Sequence, residues 1–114
     1  MRTVTQRNAY FWVWEGEPGF GQPHQFDAIF CRWTRPEFER ELRDKALHCL
    51  KDARAIERIE VVTKFDDGTE RRTTYRHAEP LTLADYRRLG DALPDVERAQ
   101  NSPEGRRFLQ FKQD

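Results

Sequence analysis

The amino-acid sequence predicts an α+β fold: a two-layer, four-stranded, mainly antiparallel sheet in ββαββα order, with helices on one face and a short C-terminal element. Three observations carry this reading. A strand–strand–helix pattern occurs twice. The strand segments are bounded by turn residues, and the first is rich in aromatic and β-branched residues. The helical segments open on capping signals and keep one apolar face. A chain of 114 residues fits a single domain, 1–114, long enough for one core of two layers.

The first strand covers 8–15, within the stretch NAYFWVWEG (8–16). Side chains alternate along a strand, so Tyr10, Trp12 and Trp14 share one face and Phe11 and Val13 the other. One layer of helices covers only one of these faces. The candidates for covering the second are the C-terminal Phe108 and Phe111, a second copy of the chain, or a binding target. Residues 16–25, GEPGFGQPHQ, hold three glycines and two prolines and read as a loop. The second strand, FDAIFCRW (26–33), pairs with the first as an antiparallel hairpin.

The first helix opens on TRPEF. Thr34 is the N-cap, Pro36 lies in the first turn, and Glu37 at N3 completes a capping box. Trp33 and Phe38 form the accompanying hydrophobic staple. Phe38, Leu42, Ala46, Cys49 and Ala53 then recur at spacings of three and four and form the inward face. Leu47 points away from that stripe.

Residues 56–65 alternate as a third strand. The DDG of 66–68 signals a hairpin, because Gly68 supplies the positive φ such turns need. The return strand, TERRTTYRH (69–77), is polar and reads as a sheet edge, where charges discourage unwanted pairing. The second helix has Thr82 as cap and Asp85 at N3, with Leu81 and Tyr86 as its staple. Leu83, Tyr86, Leu89, Gly90 and Leu93 face inwards, and Pro94 ends it. The stretch 102–111 reads as a short helix with Ser102 as cap and Pro103 at its first position. A strand is the alternative there.

Composition narrows the function. Hydrophobic residues are 37%, charged residues 35% and aromatics 12%. That aromatic content is foreign to disordered chains. Lys plus Arg and Asp plus Glu are 20 each, so the net charge is zero. A nonspecific nucleic-acid binder carries a basic excess, and this chain has none. No stretch approaches the roughly 20 apolar residues of a membrane span, and MRTVTQRN at the start lacks the apolar run of a secretory signal. A cytoplasmic protein with reduced thiols at Cys31 and Cys49 and no membrane contact is the expectation.

No cofactor or metal motif stands out. His24, His48, His77, Cys31 and Cys49 are the metal-ligating residue types, and no pair has ligand spacing on one element. GEPGFG (16–21) lacks the Lys and Ser/Thr of a phosphate-binding loop and joins strand to strand. A small enzyme would have to use His77 with Tyr75 and Arg71 on one strand face for acid–base work. No catalytic residue is assigned, and no cofactor and no metal are expected.

The leading expectation is therefore a small non-enzymatic protein-binding module. Its surface would comprise Tyr10, Trp12, Trp14, Phe20, Arg72 and Arg76, with balanced Arg and Glu giving specific contacts. Phe20, in the loop, is suited to plug a partner's pocket. An inhibitor or accessory factor of the kind that mobile elements and bacterial conflict systems encode fits the size and the missing motifs. The sequence does not identify the partner, and a two-fold homodimer is one form of it. The alternative is a single-stranded nucleic-acid module that stacks bases on Tyr10, Trp12 and Trp14 and holds the backbone with Arg58, Lys64, Arg72 and Arg76.

Overall fold

Alternation along the first strand decides which way the sheet faces. Ala9, Phe11 and Val13 are fully buried, so this parity turns towards the helices, and Tyr10 and Trp12 turn to the outer face. The computed structural model describes residues 2–14, 16–31, 35–52, 54–92 and 101–114. In chain order the elements are β1 (Val4–Val13), β2 (His24–Cys31), α1 (Arg35–Lys51), β3 (Ile56–Phe65), β4 (Glu70–His77), α2 (Leu83–Ala92), α3 (Pro103–Phe108) and β5 (Phe111–Gln113). The fold is α+β, with an open antiparallel sheet of strand order β2-β1-β3-β4-β5.

Among the described residues the sheet has five strands, where four were expected. The stretch 102–111 is helix first and then enters a strand: Phe111, Lys112 and Gln113 pair with His77, Arg76 and Tyr75. Consequently β4 is not an edge along its whole length. Only its charged first half, from Glu70, extends past the β5 pairing. Phe108 and Phe111 do not cover the outer face. Phe108 is buried in the core, and Phe111 packs against that core beside His77.

Trp14 does not share the face of Tyr10 and Trp12. The pairing of β1 shifts between Phe11 and Trp12 on the β2 side and between Trp12 and Val13 on the β3 side. A bulge of this kind re-aims the side chains beyond it. Past the end of β1, the Trp14 amide donates to the Ala55 carbonyl at 2.9 Å, and its half-buried indole packs against the core.

Local signals set the element ends. Thr82 and Asp85 form a reciprocal box: Thr82 N–H donates to Asp85 Oδ2 at 2.9 Å, and Asp85 N–H to Thr82 Oγ1 at 3.1 Å. The Thr82 amide, with the Thr82 side chain, holds the Asp85 carboxyl below the usual carboxylate range. Ser102 caps α3 by accepting from Gly105 N–H at 3.0 Å, with Pro103 at the start of the helix. Gly68 has φ 84 in the turn between β3 and β4, as the DDG signal requires. The proposed cap at Thr34, with Trp33, lies outside the described residues, as do Ala53, Leu93 and Pro94.

The core lies between the sheet and the helices. Phe11, Val13, Ile59, Leu47, Cys49, Tyr86 and Phe108 are its largest fully buried side chains. Leu47, expected off the apolar stripe of α1, is only 2% exposed. α1 therefore buries a wider arc than one stripe, and α2 packs beside it. The approach is close at Gly90, where a Cβ would stand 3.2 Å from the Leu50 carbonyl oxygen. Among the described residues, no helix is long and apolar enough to cross a membrane.

Candidate interaction surface

The outer face is built by cross-strand registration. Trp12 opposes Arg58, Tyr10 opposes Glu60 and then Thr74, Asn8 opposes Val62 and then Arg72, and Gln6 opposes Lys64 and then Glu70. Helices cover the other side, yet this side is not bare. Tyr10 and Trp12 are each half-buried, and Val62 and Asn8 beneath the long side chains are buried. Gln6 Nε2 donates to the Asn8 side-chain oxygen at 2.8 Å. The face thus covers itself with its own extended side chains, which bury their stems and keep their heads in water.

Arg58 organises one end. Its guanidinium lies over the Trp12 indole, 4.4 Å from the ring centroid. It donates from Nε to Glu60 at 2.7 Å and from an Nη to Glu57 at 2.6 Å. Burial works against the charge, but the bonds to Glu60 and Glu57 outweigh it and leave the Arg58 pKa raised. Arg76 lies 3.6 Å from Glu57 on its other side and also pairs with Asp114. Arg72 is exposed and 3.9 Å from Glu70. Between these groups runs a shallow depression of about 280 Å³, lined by Tyr10, Trp12, Gln25, Val62, Lys64 and Arg72 among others. Trp12 Nε1 is buried and finds no hydrogen-bond partner among the described residues, an exception to the rule that buried donors are satisfied.

The loop between β1 and β2 stands at the Trp12 end of the sheet, because Trp12 pairs with Gln25 and Val13 with His24 there. Phe20, at 77% exposure, is the one exposed large hydrophobic among the described residues. Gly19 and Gly21 on either side of it hold φ of 91 and 71, a conformation L side chains rarely adopt. The Phe20 amide donates to the Glu17 carbonyl at 3.2 Å, so a formed turn presents the ring.

The structure brings Tyr10, Trp12, Arg58, Lys64, Arg72 and Arg76 onto one face, sets Phe20 at its end, and removes Trp14 from it. Sequence reasoning missed Glu57 and Glu60. Glu57 occupies the extra position where β3 shifts register, and no local pattern marks that. The residues suited to acid–base work, Arg71, Tyr75 and His77, are each in contact with the fold. Arg71 lies over Phe65, Tyr75 is half-buried against the core, and His77 is engaged in an interior network with Tyr86. Among the described residues no group of three or more His, Cys, Asp or Glu side chains could hold a metal ion. Comparison with known proteins finds no match: no family model, no curated protein and no solved structure resembles the chain.

Proposed function

We propose that this chain is a protein-binding module that engages its partner through Phe20 and the adjoining Trp12 end of the outer sheet face. The observation that carries the reading is Phe20, held 77% exposed on a formed turn between two positive-φ glycines. Buried aromatic anchors dominate interface energetics, and the polar surround excludes water. The mixed-sign lattice of Arg58, Arg76, Glu57 and Glu60 supplies that surround, with charges arranged for complementarity. A protein partner suits this surface better than a nucleic-acid backbone does. Its guanidiniums at Arg58 and Arg76 are already paired with carboxylates, and the Arg58 guanidinium occupies a face of the Trp12 ring that a base would need.

The test is affinity capture with the parent chain and with Phe20→Ser as bait, together with the 280/260 nm absorbance ratio and the solution mass of the freshly purified protein. A species retained by the parent and lost from the variant supports the reading. A dimeric mass that Phe20→Ser returns to 13.7 kDa identifies the partner as a second copy. Equal capture by both baits overturns the role of the loop. A salt-sensitive absorbance excess at 260 nm establishes the nucleic-acid alternative instead.

A further inference from the structure

We infer that the α3–β5 segment is an acid-sensitive latch, docked on the sheet through His77 and released when that ring is protonated. The geometry is a directional chain. Ile56 N–H donates to the Tyr86 hydroxyl oxygen at 3.0 Å, and the Tyr86 hydroxyl meets His77 Nε2. The other side of the imidazole faces Phe108 of α3, whose backbone favours the protonated ring less than burial disfavours it. In neutral His77, Nε2 is free of a proton and accepts from the Tyr86 O–H, while the proton sits on Nδ1. The same ring stacks on Phe111 of β5, with centroids 4.7 Å apart and planes 22° apart, and lies 4.9 Å from Phe108. One side chain therefore ties α2, α3 and β5 to β4.

Protonation reverses one end of the chain. Nε2 becomes a donor facing an oxygen that already accepts from Ile56, and the Tyr86 hydroxyl hydrogen loses its acceptor inside the core. Burial adds to this, because it penalises the imidazolium and lowers the His77 pKa from 6.5 to about 4. The charged groups beside the ring are Glu79 from the β4–α2 link, Asp85 and Arg88 from α2, and Glu104 and Arg107 from α3. Glu79 is held by Arg107 at 2.7 Å, and Asp85 by the Thr82 amide and Arg88. Tyr86 is held neutral by burial, its pKa raised. None of these charges offsets the burial of His77.

The segment is anchored by Phe108 in the core and by a short strand. β5 is three residues long, and its ties include Ala78 N–H to Gln110 O at 2.8 Å and Asp114 N–H to Thr74 O at 2.9 Å. A three-residue strand on the edge of a sheet opens before the central strands. Because the docked pKa lies below the free value, docking is complete above pH 6.5 and weakens as pH falls towards 4, by up to about tenfold per pH unit.

Amide-exchange protection factors measured between pH 7 and pH 4.5 test this. Protection of Ala78 and of residues 108–114 is expected to fall by up to about a hundredfold over that range, while β1 and β3 keep theirs. His77→Phe retains the ring stack and is expected to make the segment's protection independent of pH. The His77 ring resonances of the parent are expected to titrate well below 6.5, the ordinary imidazole value. Loss of protection in step with β3, an unchanged pH dependence in His77→Phe, or His77 titrating at the ordinary imidazole value would overturn the latch. The ring titration uses the parent chain and decides the matter even where the variant fails to fold.

Discussion

The Arg58 guanidinium covers the Trp12 indole from 4.4 Å, and Glu57 and Glu60 hold it there. This contact answers how a strand with large aromatics on both faces is satisfied. Phe11 and Val13 take the helices, while Tyr10 and Trp12 lie among long charged side chains whose heads are paired. Replacing Arg58 by Ala removes the cover, takes away the cation that Glu60 accepts from and leaves Glu57 to Arg76. The expected loss is about 2 kcal/mol, the scale of a desolvated cation–π contact. It should be accompanied by stronger acrylamide quenching of tryptophan fluorescence. Unchanged quenching and an unchanged denaturation midpoint would remove Arg58 as the organiser of that face.

Thr82→Ala should cost about 1 kcal/mol, the typical loss at an N-cap. Asp85→Ala should cost a similar amount, because each residue satisfies the other's amide in the box. The two losses should not add, since they break one reciprocal unit. Urea midpoints at constant m-value measure all three proteins. Strict additivity would show that the two bonds act independently.

The caps at Thr82 and Ser102 and the turn at Gly68 were legible because each is decided within four or five residues. The inward parity of Phe11 and Val13 was not decided by alternation, which offered two aromatic faces without ranking them. Leu47 lies off the stripe that spacing defines yet is buried, because the arc a helix buries is set by everything packed around it and not by its own period. The fifth strand escaped notice because three residues carry no periodicity, and they pair only where β4 already offers a ladder. Trp14 followed the parity rule until a shift in register ended it. The neutralised character of the outer face was hidden for a related reason: Glu57 and Glu60 hold Arg58 within β3, but Glu57 also reaches Arg76 across to β4, and no spacing in the sequence reports a cross-strand pair.

Gly68→Ala isolates a backbone cost. Nothing lies within 4 Å of a Cβ built there, while φ is 84, so no clash contributes. An L residue in this region costs roughly 1–2 kcal/mol, and thermal unfolding should show the loss. A stability equal to the parent's would mean that the turn relaxes to another type.

Cys49 forms no disulfide among the described residues and is 1% exposed. A cysteine in such surroundings behaves as a small hydrophobe. Labelling by a thiol reagent should be slow in native buffer and fast in denaturant. Rapid native labelling of Cys49 would place it outside the core.

Phe20→Ser separates binding from folding. The ring is 77% exposed and touches no part of the core cluster, so its loss should change stability by no more than about 0.5 kcal/mol. Binding should respond differently. A phenylalanine side chain that becomes buried in a partner removes on the order of 150–250 Å² from water. At about 25 cal/mol per Å², that contributes several kcal/mol, and ordering and desolvation at the interface offset part of it. A net loss of about 2–3 kcal/mol, on the order of a hundredfold in affinity, is therefore expected for the captured partner. Arg72→Glu, an exposed change on the same face, should alter affinity less and make it depend more on salt, as rim charges do. Titration of both variants against the captured partner, with unfolding curves in parallel, gives the decisive comparison. Weakened binding that tracks lost stability in Phe20→Ser would assign Phe20 to the fold. Binding untouched by Phe20→Ser and abolished by Arg72→Glu would move the contact from the loop to the charged face.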